Sequence, residues 1–150
     1  MFRLAVLCMC LLSVASATPV NKCDGKPFPS QVRIKDCNQP PCAVVKGTTA
    51  NFQVDFEAAF PIKIMTTKVR ATVLGLTVNY PLDDEQANTC AHLLYGSYCP
   101  LDRGEDITYN FDFPVGNSYP EIGVNVEVSL EDESKKVVTC FNVDIKVKSH

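Results

Sequence analysis

The chain contains no tryptophan and only two histidines among its 150 residues. His92 lies between two closely spaced cysteines, and His150 is the last residue. The sequence also lacks a G-x-S-x-G motif and an H-E-x-x-H motif. Because hydrolytic catalysis needs a nucleophile beside a base and a third group that orients the base, we expect no catalytic residues, no cofactor and no enzymatic function.

Long runs of basic charge are absent as well. The chain has 14 basic and 17 acidic residues, which gives a net charge of −3. Without a Lys/Arg cluster that could follow a phosphate backbone, we expect no nucleic-acid binding. The acidic runs at 83–85 and 131–133 lack the ligand spacing of a calcium loop, and the C-x4-C and C-x8-C spacings do not match a compact zinc site. We therefore expect no metal site.

The start of the chain has the pattern of a secretory leader. Residues 1–3 carry a positive charge, residues 4–12 are apolar, and residues 15–17 match the small-x-small cleavage pattern. A membrane anchor would need an apolar run of about 20 residues, and no later stretch reaches that length. We therefore predict a signal peptide over 1–17 and a secreted mature domain over 18–150.

Standard N-x-Ser/Thr glycosylation sites are also missing, and Asn88-Thr89-Cys90 has only the rare cysteine form. A glycan-dependent route to the lysosome then lacks its usual acceptor. This absence favours secretion into the extracellular fluid, with the lysosome lumen as the alternative.

Cysteine, by contrast, is plentiful. The chain has eight cysteines, of which Cys8 and Cys10 fall in the predicted signal peptide, and the remaining six indicate a disulfide framework in an oxidising compartment. Two pairs are close in sequence, one around an Asn-Gln-Pro-Pro loop and one around a second short loop, and the last two cysteines pair by elimination. The predicted bridges are Cys37–Cys42, Cys90–Cys99 and Cys23–Cys140.

Apolar and polar residues alternate with a period of two along most of the mature chain. The alternating stretches are 31–35, 52–58, 65–73, 76–80, 107–113, 122–130 and 137–147. No stretch shows sustained helical periodicity, and residues 86–94 are predicted to form one turn at most. We therefore predict one all-β domain, an immunoglobulin-like sandwich of two sheets and about seven strands. Without tryptophan, it cannot contain the Cys-Trp-Cys core of a true immunoglobulin domain.

Aromatic residues lie among short apolar ones in these strands and at their ends. They are Phe52, Phe56, Tyr80, Tyr109, Phe111, Phe113, Tyr119 and Phe141. Such a set could line an open slot between the sheets. Alternation alone does not distinguish a slot from a filled core, and a filled core is the more common arrangement.

Several motifs, in their order and spacing, identify a family. They are Gln39-Pro40-Pro41-Cys42 with Lys46-Gly47, Tyr80-Pro81-Leu82, Cys99-Pro100-Leu101, and Phe113-Pro114-Val115-Gly116-Asn117-Ser118-Tyr119-Pro120, followed by an alternating strand and Cys140-Phe141. Over essentially all of 18–150 the chain resembles Niemann-Pick type C2-like proteins of the ML (lipid-recognition) domain family. One departure is that the family's K-D-C motif stands here at Cys37, whereas Cys23 is followed by Asp24-Gly25.

The resemblance implies a sterol, or another hydrophobic lipid, held between the two sheets. By position, it assigns ligand contacts to Tyr80, Val115, Tyr119, Tyr109, Val124, Val128 and Phe141. Tyr80 stands where relatives commonly have Phe, and Val128 and Phe141 stand where sterol-binding relatives often carry Trp. The disulfide pairing that the resemblance implies agrees with the pairing from spacing.

The implied function is carriage of a cholesterol-like sterol between membranes or to a receptor. The implied partners are a membrane sterol transporter or receptor and a membrane that is contacted transiently, and the protein is expected to be a monomer. Two alternatives use the same pocket: recognition of microbial lipids in innate immunity, and carriage of fatty acids or semiochemicals.

Overall fold

A computed structural model describes residues 16–150, so most of the predicted signal peptide lies outside the described residues. Within 16–150 the chain forms nine strands and two short helical turns. The strands are β1 (Asn21–Lys22), β2 (Gln31–Ile34), β3 (Cys42–Val45), β4 (Thr49–Glu57), β5 (Met65–Val73), β6 (Leu76–Tyr80), β7 (Asp106–Pro114), β8 (Gly123–Asp132) and β9 (Val137–Lys148).

The strands form two sheets, which confirms the predicted sandwich. The larger sheet has the order β1-β9-β8-β5-β6, with β3 also paired to β9, and the smaller sheet has the order β2-β4-β7. All pairs are antiparallel except β3 with β9. Inward-facing residues of both sheets, such as Val54 and Val143, belong to one buried core.

The seven predicted strands are all present, and two further strands, β1 and β3, were missed. Strand β1 has two exposed polar residues, so it carries no apolar alternation. Strand β3 is four residues long and begins directly after Pro41, and its Ala-Val-Val stretch does not alternate. Neither strand has a sequence pattern that sets it apart from a loop.

The predicted single turn between β6 and β7 is present as two short elements. A four-residue helix, α1 (Asp84–Ala87), is followed by a 3-10 turn at Thr89–His92. A capping box between Asp83 and Gln86 starts the helix. Among residues 16–150, no helix is long and apolar enough to cross a membrane.

Alternation determines which face of the smaller sheet is buried. Phe52, Val54 and Phe56 of β4 are buried, because successive side chains of a strand point to opposite faces. On the outer face, both guanidinium Nη atoms of Arg33 donate to the Asp55 carboxylate at 2.6 and 2.8 Å. These hydrogen bonds hold the pKa of Asp55 below its usual value. The Asp55 carboxylate also accepts from Thr108, so one carboxylate ties together β2, β4 and β7.

Three disulfides are present, in the pairs that the spacing predicts. Cys23–Cys140 connects the start of the domain to β9 across 117 residues of sequence, whereas Cys37–Cys42 and Cys90–Cys99 each close a short loop. The long-range bridge fixes the edge of the larger sheet where β1 pairs with β9.

Candidate ligand-binding site

The two sheets enclose a cavity of about 240 Å³ at one end of the sandwich. Residues of both sheets and of the loop 115–122 line it. They are Val44, Ala50, Phe52, Ala71, Val73, Tyr80, Phe111, Phe113, Val115, Tyr119, Pro120, Ile122, Val124, Val126, Ile145 and Val147. None of these sixteen residues carries a charge.

The cavity exists because small side chains face each other at this end. Ala71 on β5 pairs with Val126 on β8, and Ala50 lies on the facing sheet. Since packed sheets keep a spacing of about 10 Å, alanine and valine do not fill the gap between them. Two residue pairs further along, and therefore on the same face, Val69 pairs with Val128, and their side chains are buried in the core.

A row of buried side chains that includes Tyr109 and Phe141 lies at the inner end of the cavity. Val54 pairs with Tyr109 in the smaller sheet and Val128 pairs with Phe141 in the larger sheet. All four residues are buried and belong to the same core cluster. The cavity therefore ends where this row begins.

The opposite side of the cavity is the open one. Pro120 is exposed, and Tyr80, Phe113 and Tyr119 are half-buried, whereas Phe52 and other inner lining residues are buried. Tyr80 is the last residue of β6, an edge strand of the larger sheet, and Phe113 lies on β7, an edge strand of the smaller sheet. The cavity therefore opens between two sheet edges.

Two tyrosine hydroxyls meet at this opening. The hydroxyls of Tyr80 and Tyr119 are hydrogen-bonded to each other, and the ring of Tyr80 packs edge-on against Phe113 at 5.0 Å between centroids. Burial, together with the hydrogen bond to Tyr80, raises the pKa of Tyr119 to about 12. The Tyr119 hydroxyl is therefore neutral at any physiological pH.

Four of the seven predicted contact residues line the cavity: Tyr80, Val115, Tyr119 and Val124. The other three, Tyr109, Val128 and Phe141, are not among the lining residues and are buried in the core, so their contact with a ligand stays a prediction. The Tyr109 hydroxyl is bonded to Thr67 at 2.7 Å, and Thr67 to Thr89 at 2.8 Å. Burial raises the pKa of Tyr109.

Sequence reasoning missed several lining residues on the larger sheet and one, Ile122, in the loop that precedes β8. They are Val44, Ala71, Val73, Ile122, Val126, Ile145 and Val147. The alternating pattern places most of these on the inner face. It does not indicate which inward rows are too small to fill the space between the sheets.

The chemistry of the site is that of an apolar container. A cluster of Cys23, Glu127 and Cys140 lies elsewhere in the fold, but both sulfurs are in a disulfide and are not available as thiolate ligands. In the cavity itself, the lining offers dispersion contacts, and the hydroxyls of Tyr80 and Tyr119 lie at the opening. An arrangement of this kind can enclose the apolar body of a small molecule.

Comparison with known proteins identifies the family. The sequence profile of the ML domain matches residues 17–147. The chain belongs to the ML-domain family. An NPC intracellular cholesterol transporter 2 homolog a from Drosophila melanogaster is 31% identical over 99% of this chain and 100% of its own length. The NPC intracellular cholesterol transporter 2 of Danio rerio is 29% identical over 96% of this chain and 95% of its own length.

Solved structures show the same fold. A Niemann-Pick type C2 protein from the Japanese carpenter ant superposes with a TM-score of 0.76 and 21% identity, over 87% of this chain and 99% of the ant chain. Chicken MD-1 in complex with lipid IVa superposes with a TM-score of 0.51 and 19% identity, over 77% of this chain and 78% of MD-1. At these identities the likeness establishes the ML-domain sandwich.

Proposed function

We propose that this ML-domain protein is a secreted, non-enzymatic carrier that holds a sterol in the cavity and transfers it between membranes or to a receptor. The observation that carries the proposal is the uncharged cavity that opens between the edges of the two sheets. The names of the Drosophila and zebrafish relatives, which describe cholesterol transporters, support a sterol as the ligand.

The expected affinity suits a carrier. Enclosing several hundred Å² of apolar ligand surface contributes roughly 10 kcal/mol at about 25 cal/mol per Å², and lost motion and ordering offset several kcal/mol of this. The remaining free energy corresponds to a nanomolar to micromolar dissociation constant. Such a complex is stable in water and still releases its lipid at a membrane.

The size of the cavity matters for the choice of ligand. Pockets that hold drug-sized ligands commonly measure about 300–1,000 Å³, and this cavity measures about 240 Å³. A sterol therefore requires the cavity to widen, whereas a linear acyl chain requires less widening.

A titration with a fluorescent sterol, dehydroergosterol, tests the proposal on residues 18–150 expressed in an oxidising host. We expect saturable binding with one site per chain and no displacement by a tenfold excess of palmitate. Displacement by palmitate, or acyl-lipid binding without sterol binding, would instead favour carriage of fatty acids or recognition of microbial lipids. Binding of neither probe would rule out the carrier function.

An exposed apolar patch adjoins the opening, formed by Leu74, Leu76 and Val78 of the β5–β6 hairpin. Strand pairing places Leu76 opposite Val73 and Val78 opposite Ala71, and both partners line the cavity. Opposite residues in an antiparallel pair share a sheet face, so the lining continues onto the protein surface. We propose that this hairpin patch enters the membrane surface during lipid transfer.

Leu76→Asp is expected to slow sterol transfer from the protein to phosphatidylcholine vesicles about tenfold. The reason is that burying the Leu76 side chain in the membrane surface stabilises the contact by about 1.5–3 kcal/mol. A carboxylate at this position does not provide this stabilisation. The equilibrium affinity for the sterol in solution should change little. A stopped-flow transfer assay measures the rate. Asn79→Asp, which adds the same charge at an exposed position on the other face of β6, is the matched control, and equal rates for the two variants would contradict the patch's role.

A further inference from the structure

Two of the sixteen residues that line the cavity carry a polar side-chain group, the hydroxyls of Tyr80 and Tyr119, and these lie at its rim because the surface exposed inside the cavity is entirely apolar. All other lining side chains are those of Ala, Val, Ile, Phe and Pro. The two hydroxyls come from different parts of the chain, β6 and the loop 115–122, and they meet at the open side of the cavity. Their pairing places the polar groups of the lining at one point.

The pair has unused hydrogen-bonding capacity. Each tyrosine hydroxyl has one O–H to donate and lone pairs that accept. In the bond between Tyr80 and Tyr119 one hydroxyl donates and the other accepts. Within the described residues the second O–H has no protein acceptor, so one donor remains free beside an apolar cavity. A half-buried donor in this position is best satisfied by an oxygen atom, from a ligand or from water.

The rings are held in position without the ligand. The ring of Tyr80 packs against Phe113. The ring of Tyr119 lies over Gly116, where a Cβ atom would lie only 3.1 Å from its Cε1 atom. Glycine therefore permits the close approach that brings the Tyr119 hydroxyl to Tyr80. A polar group fixed before binding loses little freedom when a ligand arrives.

We propose that the Tyr80–Tyr119 hydroxyl pair is the subsite for one neutral oxygen of the lipid, a hydroxyl or carbonyl at the end of an otherwise apolar body. The pair selects oxygenated lipids over hydrocarbons of the same shape. No cation lines the cavity to compensate a buried anion, so the preferred oxygen is uncharged. This inference rests on the proposed carrier function.

Two matched lipid pairs test the subsite: 5α-cholestan-3β-ol against 5α-cholestane, and hexadecan-1-ol against hexadecane. Radiolabelled lipid is supplied in phosphatidylcholine vesicles, and the label retained by the protein is measured at equilibrium, relative to the vesicle concentration of each lipid. For each pair that the wild type binds, we expect the protein to retain about five- to tenfold more of the alcohol than of the hydrocarbon. This is the ratio that one net hydrogen bond gives. The double variant Tyr80→Phe/Tyr119→Phe should bind alcohol and hydrocarbon alike.

Tyr98→Phe, at an exposed tyrosine outside the lining, is the control and should keep the wild-type preference. Thermal unfolding of each variant shows whether it is folded. Equal uptake of alcohol and hydrocarbon by the wild type, or an unchanged preference in the double variant, would overturn the subsite and leave the carrier function standing. Uptake of none of the four lipids by the wild type would overturn both.

Discussion

Val115→Phe is expected to lower the affinity for dehydroergosterol about 30- to 100-fold while the protein stays folded. Val115 is a buried lining residue. Its backbone N–H donates to Thr48 at 2.8 Å, and its carbonyl accepts from Gly47 at 2.7 Å. Because both backbone groups are held, a phenyl ring at this position has to extend into the cavity. It then displaces ligand contacts worth about 2–3 kcal/mol.

The same substitution outside the lining is the control for Val115→Phe. Val137 at the start of β9 is half-buried and does not line the cavity, so Val137→Phe should bind the sterol as the wild type does. Fluorescence titration gives the affinities, and circular dichroism gives the unfolding midpoints. Wild-type affinity in a folded Val115→Phe protein would mean that the lipid does not occupy this cavity.

Removing the long-range disulfide is expected to lower the free energy of unfolding by about 5 kcal/mol. Cys23 and Cys140 are 117 residues apart in sequence, and the chain-entropy model assigns about 5 kcal/mol to closing a loop of this length. For a domain of this size the loss corresponds to a fall of roughly 15–25 °C in the unfolding midpoint. Differential scanning calorimetry of Cys23→Ser/Cys140→Ser measures it.

The short bridges provide the comparison for this prediction. Cys90 and Cys99 are 9 residues apart, and the same model assigns about 2–3 kcal/mol to a loop of that length. Cys90→Ser/Cys99→Ser should therefore be destabilised by roughly half as much as the variant that lacks the long-range bridge. Equal destabilisation of the two double variants would show that loop length does not determine how these bridges stabilise the fold.

Most of the fold could be predicted from the sequence because its strands are long and half-buried. In β7, in β4 from Phe52 onwards and in β9 from Phe141 onwards, the alternation of apolar and polar residues follows the more and less buried faces of the strand. Strand β3 could not be predicted in this way. It is a strand only because it pairs in parallel with a free edge of β9, where Cys42 lies opposite Ile145. The sequence of such a short segment does not indicate which strand it pairs with.

The site was predictable at the positions where the family motif fixes the residue. Val115 and Tyr119 lie within the Phe113–Pro120 stretch that carries the resemblance, and both line the cavity. The resemblance assigns Tyr109 to the pocket as well. The structure buries Tyr109 in the core outside the lining, where its hydroxyl is hydrogen-bonded to Thr67. The depth at which a cavity ends depends on the volumes of side chains that meet from two sheets, and no local pattern in one strand contains that information.

Hydrogen bonding at the opening was likewise invisible in the sequence. Tyr80 and Tyr119 are 39 residues apart, and each alone is compatible with a ring that simply fills space. Their pairing depends on the position of the loop 115–122 relative to the end of β6, and on the absence of a side chain at Gly116. Neither the end of β6 nor the loop 115–122 alone therefore predicts this hydrogen bond.

Native mass spectrometry of the protein purified from its secreting host tests the central claim most directly. The account predicts a complex of one chain with one lipid, in which the mass of the released ligand identifies a sterol or a similar neutral lipid with one oxygenated end. The same preparation of Val115→Phe should be free of lipid. A wild-type chain that is empty, and that remains empty after incubation with sterol-containing vesicles, would contradict the account.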